Sequence, residues 1–302
     1  MRAVVIHAYG GPDELKFEEY PDPVVGAGDV LVRVAGTSVN PFDLKVRSGA
    51  MKEFVPLTFP AILGVDLSGT VERVGPGVDG YAPGDKVFAQ ASQTYASLCA
   101  VKAANLAKIP EGMELIDVAG LPTVTTTGAQ LAELAMAART GGTVLVSGAV
   151  GNVGRSAIFV AKENRWTVIA AVRRKQMEEA KATGADHVVA LDDEMSLNRL
   201  EPVDAVADTI SGQIADLLLA KVKKGGIFAS VLAPPSKASA YSDVQIRTMQ
   251  VKPAPATLLH MAEAVRSRRL AIPLGQRFAL ADANKAHTAA ENRALGKLLL
   301  LA

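Results

Sequence analysis

Cysteine is almost missing: a single one, Cys99, occurs in 302 residues. That excludes an internal disulfide framework and a cysteine-rich zinc site. Aromatic residues make up only 5%, and 32 Lys+Arg against 31 Asp+Glu leave a net charge of +1. A chain so balanced has neither the basic groove nor the stacking platforms of a nucleic-acid binder, so no nucleic-acid partner is expected. No apolar run approaches the ~20 residues of a spanning helix, which argues against a membrane partner. The start, Met1-Arg2 followed by Ala3-Val4-Val5-Ile6, is too short an apolar stretch for the core of a secretory leader. The expected compartment is therefore a reducing cytoplasm.

What the chain does hold is core-forming material. Apolar residues are 49% and charged ones 21%, the balance of a globular protein of one large or two ordinary domains. The texture changes along its length. Up to about residue 110, short β-like runs such as Val30-Leu31-Val32-Arg33-Val34 and Ser68-Gly69-Thr70-Val71-Glu72-Arg73-Val74 are bounded by Gly, Pro or Asp, which reads as half-buried strands. From about 120 to 250, apolar runs (Thr143–Ser147, Thr167–Val172, His187–Leu191, Val203–Ala207, Gly226–Val231) alternate with helical stretches such as Arg155–Asn164 and Gln176–Thr183. Continuous apolar strands separated by helices indicate a parallel sheet covered on both faces. The remainder, with helices over Thr257–Arg268 and Asp282–Asn292 and strands at Arg277–Leu280 and Lys297–Leu301, is too little for its own core. It is expected to return to the first domain.

The sharpest chemical signal follows the first strand of the alternating region: Ser147-Gly148-Ala149-Val150-Gly151-Asn152-Val153-Gly154. Its glycines, three apart, stand between a strand and a helix within a βαβ unit. Gly148, Gly151 and Gly154 there suit a sharp turn, approach of a pyrophosphate to bare backbone, and close packing of helix on sheet. The free N–H groups and positive end of the helix then hold the anion, with Val150 to Val153, Asn152 included, lining it. A tight structural turn is the other reading. NAD sites place an acidic residue about 20 residues further on. Here the second strand ends in Val172-Arg173-Arg174-Lys175, and the first acid is Glu178. Three cations in that place suit the 2′-phosphate of NADP. A solvated charge run is the alternative, although cations at a helix start oppose its dipole. The run does not tell which of Arg173, Arg174 and Lys175 would carry the phosphate.

Together these segments give the chain a family resemblance. Ser38-Val39-Asn40-Pro41-Phe42-Asp43-Leu44-Lys45-Val46-Arg47-Ser48-Gly49, Gly64-Val65-Asp66-Leu67-Ser68-Gly69-Thr70-Val71 with Gly84-Asp85-Lys86-Val87, and Gly184-Ala185-Asp186-His187 follow one another in the family's order. The chain resembles the medium-chain dehydrogenases/reductases, in their zinc-free quinone oxidoreductase (zeta-crystallin-like) branch. The resemblance implies an α/β fold: a GroES-like β-rich catalytic domain over residues 1–118, completed by 254–302, and a doubly wound parallel-sheet Rossmann domain over 119–253. It also implies a homodimer, and a cofactor and substrate held between the domains.

The zinc form of the family carries a His where this chain has Val65, and Ser38 and Asn40 stand near its first cysteine ligand. His7, His187, His260 and His287 are dispersed and read as surface or strand-end residues, so no metal site is expected. The resemblance sets Asn40 and Thr127 beside the nicotinamide. Each also has a structural reading, Asn40 as an Asx turn before Pro41 and Thr127 as part of a helix cap. Lys45 stands where relatives often have a tyrosine; it either meets an anionic substrate group or points to solvent. Asp208, at the end of the fourth strand, and Val231, Leu232 and Ala233, after the fifth, fall at the strand ends where such cofactors lie. The implied activity is NADPH-dependent, zinc-independent hydride transfer to a quinone or an α,β-unsaturated carbonyl. The alternatives are an enoyl-thioester reductase and a non-enzymatic NADPH-binding or structural protein.

Overall fold

The structure is a computed structural model that describes all 302 residues. The chain forms two compact units, Met1–Thr123 with Pro253–Ala302, and Val124–Lys252.

The first unit begins with β1 (Arg2–Ile6), β2 (Lys16–Glu19), β3 (Asp29–Ser38), α1 (Pro41–Arg47), β4 (Ala61–Ile62), β5 (Asp66–Val74), β6 (Lys86–Gln90), β7 (Leu98–Lys102) and β8 (Leu106–Lys108). Strand β3 organises it, pairing antiparallel with both β5 and β7. Its register with β5 slips between Leu31 and Val32 and again between Val34 and Gly36, the irregularity that curls a sheet. The inward residues of the curled sheet, among them Val30, Val32, Leu67, Val71, Val87 and Val101, close on one apolar core. The alternation seen in the sequence is the alternation of this sheet's two faces.

The second unit runs through α2 (Pro122–Met136), whose first residues belong to the other unit, then β9 (Thr143–Ser147), α3 (Asn152–Glu163), β10 (Thr167–Val172), α4 (Met177–Lys181), β11 (His187–Ala190), α5 (Glu194–Asn198), β12 (Val203–Asp208), α6 (Gly212–Leu219), β13 (Val222–Ser230) and β14 (Gln245–Thr248). The six strands lie in the order β11-β10-β9-β12-β13-β14, and every pairing is parallel. This is the doubly wound order, reversing direction beside β9. The helix read from Gln176 to Thr183 is shorter: a single 3₁₀ turn (Arg174–Gln176) leads into α4. The Arg174 N–H, at the start of this turn, donates to Asp192 Oδ1 at 2.6 Å.

The chain then returns to the first unit through α7 (Pro255–Arg266), β15 (Leu274–Ala279), α8 (Ala283–Glu291) and β16 (Lys297–Leu301). Strand β16 lies between β15 and β3. Its Leu298 and Leu300 join Val4, Ile6, Val39, Val46 and Tyr95 in a second core.

Candidate functional site: a glycine cradle and a buried acid network

All strands of the second unit are parallel, so the residues that follow β9, β10, β12 and β13 share one edge of the sheet. Gly148 and its turn, Arg173, Thr209 and Val231 stand there. Gly148 has φ +61°, which a side chain would strain, and a Cβ on Gly154 would collide with the Gly148 carbonyl oxygen. The turn is therefore pressed against the start of α3. The first intrahelical bond runs from the Arg155 N–H to the Gly151 carbonyl at 2.8 Å; the N–H groups of Asn152, Val153 and Gly154 precede it and have no acceptor inside the helix. Gly151 is exposed above them. A bare-backbone cradle at the start of a twelve-residue helix fits the pyrophosphate of a dinucleotide.

Several side chains hold this edge in shape. Arg155, buried, donates from Nε to the Val150 carbonyl at 2.8 Å and from Nη2 to Glu179 at 2.7 Å. Asp208 is fully buried, and its carboxyl accepts from Ser147 Oγ (2.7 Å), Ser230 Oγ (3.0 Å) and the Ser211 N–H (3.0 Å). Its oxygens tie three strand ends together, so Asp208 shapes the edge from below instead of presenting a free carboxylate. Val231 and Leu232 are half-buried and Ala233 is exposed just past β13.

The basic run is not uniform. Arg174 is bound by Asp193 at 2.8 Å. Arg173 and Lys175 are exposed and make no ion pair; Arg173 directly follows the end of β10. Thr127 is buried on α2, in the second unit.

In the first unit the sequence points to Asn40 and Lys45, and the structure separates them. Lys45 is exposed and does not line the cavity described below. Asn40 is buried, and both ends of its amide are engaged: Nδ2 donates to Asp66 Oδ2 at 2.8 Å, while Oδ1 accepts from Lys297 Nζ. Asp66, with no exposed surface, also receives Ser38 Oγ (2.5 Å) and the Thr123 N–H (2.7 Å), and lies 3.5 Å from the Lys297 ammonium. Burial pulls Lys297 below the usual lysine range, against the attraction of Asp66 and Asp43.

At the last residue of α1, a second buried chain of contacts begins. Arg47 donates from Nε to the Gly10 carbonyl at 3.2 Å, from Nη1 to His287 Nδ1 at 3.0 Å and from Nη2 to Glu291. Because Arg47 only donates, His287 must accept at Nδ1 and donate from Nε2 to the Tyr95 hydroxyl, 3.0 Å away. Burial, with the Arg47 charge adding to it, lowers the His287 pKa to about 3. The expectation that His287 is a surface histidine is thus overturned: it has no exposed surface. Nothing in the local sequence marks it, since its partners lie 192 and 240 residues away.

Between these groups sits Asp43. It is buried, its Oδ2 accepts the Asn40 N–H at 2.9 Å, and it lines a cavity of about 330 Å³ with Phe42, Leu57, Ile62, Val65 and Gln93. Burial first, then the neighbouring Asp66 charge, raises its pKa to about 7, against the Asn40 N–H and Lys297. The zinc that part of the family uses does not fit this surrounding. Val65 offers no ligand, the Asn40 amide is taken, and Asp66 already answers a lysine ammonium 3.5 Å away.

A doubly wound dinucleotide-type sheet and a β-rich unit completed by the chain's own C-terminus define a class of two-unit dehydrogenase folds, and the comparisons with known proteins agree. Residues 26–145 match the alcohol dehydrogenase GroES-like domain, and residues 183–300 match the domain described as zinc-binding dehydrogenase. The chain is 31% identical over 203 residues to quinone-oxidoreductase QR1 of Triphysaria versicolor, covering 63% of this chain and 60% of the relative. It is 30% identical over 240 residues to the NADPH-dependent alkenal/one oxidoreductase of Arabidopsis thaliana, covering 75% and 61%. In these two matches, then, the aligned region spans about 60% of the curated relative's length. The solved quinone oxidoreductase of Coxiella burnetii superposes over 100% of this chain and 99% of its own, with a TM-score of 0.89 and 26% identity. The chain belongs to the medium-chain dehydrogenase/reductase family, alongside its quinone oxidoreductases.

Proposed function

We propose that the chain is an NADPH-dependent oxidoreductase that reduces α,β-unsaturated carbonyl compounds or quinones without a metal. The observation that carries this reading is the sheet edge of the second unit. A glycine cradle there adjoins Arg173, where an NAD site would have a carboxylate. When bound, the nicotinamide supplies a hydride. The backbone of Val150 to Gly154 holds the pyrophosphate, Arg155 and Asp208 keep the turn in place, and Arg173 and Lys175, free of ion pairs, take the 2′-phosphate. Arg174 is a weaker choice because Asp193 competes for its guanidinium. In the first unit, the apolar cavity beside Asp43 suits an uncharged, conjugated carbonyl compound. The names of the relatives support the same substrate class, one being a quinone oxidoreductase and the other an alkenal/one oxidoreductase.

The test is oxidation of NADPH and NADH by the purified protein with 1,4-benzoquinone, 9,10-phenanthrenequinone and a simple enone, with and without EDTA. Turnover should favour NADPH, be indifferent to EDTA, and fall for NADPH alone in Arg173→Ser/Lys175→Ser. The loss of two charge-assisted contacts should raise the KM for NADPH by about tenfold or more. Absence of oxidation with every acceptor would remove the reductase reading and leave a dinucleotide-binding protein.

A further inference from the structure

We propose that Asp43 is the acid that protonates the reduced substrate, and that the Asp66–Asn40–Lys297 cluster keeps it in its protonated form. The inference rests on the reductase reading above and adds a residue role to it.

Asp43, Asp66 and Lys297 are all buried in one part of the first unit. Two carboxyls share one ammonium, so one of them carries no balancing charge. The donors are divided unevenly. Asp66 receives Ser38 Oγ, Asn40 Nδ2 and the Thr123 N–H, with the ammonium at 3.5 Å. Asp43 receives the Asn40 N–H on Oδ2. An unbalanced carboxylate in an apolar surrounding takes up a proton in preference to remaining charged. The charge therefore resides on Asp66 and the proton on Asp43. Asn40 connects the two, with its side-chain amide on Asp66 and its backbone N–H on Asp43.

Other charged and titratable groups around Asp43 do not displace that proton. Tyr95 is a neutral phenol whose pKa burial raises well above its usual value, and it interacts with the Asp43 carboxyl. Arg47 is committed to Gly10, His287 and Glu291. His287 is neutral and donates to Tyr95. Asp43 alone among the titratable residues of this network lines the cavity.

Asp43 contributes to that wall with 1% of its surface exposed, and its carboxylic acid is suited to a definite step. Addition of hydride to the β-carbon of an enone breaks the C=C π bond and leaves an enolate; the hydride and its two electrons come from NADPH, which becomes NADP⁺. The enolate takes the Asp43 proton, giving the saturated ketone and an Asp43 carboxylate. Water entering the cavity restores the proton. A hydroquinone anion is far less basic than an enolate and needs this acid less, so the inference narrows the preferred substrate to enones and enals.

The experiment is the pH dependence of kcat/KM and kcat with NADPH and an enone, in the wild type and in Asp43→Asn, with benzoquinone in parallel. In the wild type, kcat/KM for the enone should fall on the alkaline side of pH ~7, with a weaker fall for the quinone. In Asp43→Asn, the enone kcat should drop about 100-fold, the usual contribution of a positioned acid, with KM little changed and the alkaline limb gone. NADPH binding by fluorescence titration should be unaltered, because it belongs to the other unit. An alkaline limb that persists in Asp43→Asn, or a drop in kcat without a change in profile, would overturn the role. Should the variant not fold, the wild type decides: an enone profile flat from pH 6 to 8, or equal limbs for both acceptors, overturns it as well. A wild type that turns over neither acceptor points instead to failure of the reductase reading.

Discussion

Two buried residues of the first unit couple its stability to pH in opposite senses. The His287 pKa falls from 6.5 to about 3 on folding, so between those values the unfolded chain holds a proton that the folded chain lacks. Its contribution to stability is complete above pH ~6.5 and is lost as the pH falls toward 3. Asp43 moves the other way, from 3.8 to about 7. Its contribution is complete below pH ~4 and is lost as the pH rises through 7. Between about pH 4 and 6.5 the two slopes, each up to about 1.4 kcal/mol per pH unit, oppose one another. Single substitutions should expose them. Relative to the wild type, His287→Gln should lose stability as the pH rises from 4 to 6.5, and Asp43→Asn should gain it. Urea denaturation at half-unit intervals of pH measures both. Parallel curves for wild type and variants would mean that neither group changes its protonation on folding.

At the scale of elements, the glycine turn between β9 and α3 makes the strictest demand on the sequence. A Cβ at Gly154 would lie 2.8 Å from Ala149 Cα as well as against the Gly148 carbonyl. Both neighbours are backbone, so the helix start or the turn must shift. Gly154→Ala is expected to cost about 1–3 kcal/mol and to weaken NADPH binding by about tenfold or more in a fluorescence titration. Gly11→Ala, where a Cβ meets nothing within 4 Å, should change neither. A Gly154→Ala protein that binds NADPH like the wild type would show that the cradle is not where the pyrophosphate lies. This element was legible in the sequence because its requirements are local: a strand, three spaced glycines and a helix within a dozen residues. The run Arg173-Arg174-Lys175 was legible in the same way, whereas its division was not, since Asp193, which pairs with Arg174, follows the neighbouring strand β11. Of the acid network only Asn40 was singled out from the sequence, and for another role. Lys297 in a Gly-Lys-Leu strand start and His287 in a polar helix look solvated in sequence. They are buried because strands and helices far apart in the chain bring Asn40 and Arg47 to them, across sequence separations of 257 and 240.

At the scale of the whole molecule, the route of the chain gives the two units unequal dependence on their ends. Val124–Lys252 is contiguous and has its own core around Leu145, Val206, Leu218 and Phe228. The first unit is assembled from both ends, and β16 is its late arrival, inserted between β15 and β3. That strand brings Leu298 and Leu300 into the core and Lys297 to Asp66. Ending the chain after Glu291 removes these residues, leaving the Asp66 carboxylate buried without its cation and the Gly36–Ser38 end of β3 without its β16 partner. Loss of one partner of a buried ion pair alone costs roughly 3–5 kcal/mol, a large share of the stability of a domain. The second unit keeps every strand of its sheet. Limited proteolysis of such a truncated chain should therefore degrade the first unit and leave a resistant fragment spanning about residues 124–252, which added NADPH protects further. Mass spectrometry of the digest identifies it. Wild-type resistance throughout the truncated chain would show that β16 is dispensable to the first unit. Loss of both units at one rate would show that the second does not hold its fold on its own core.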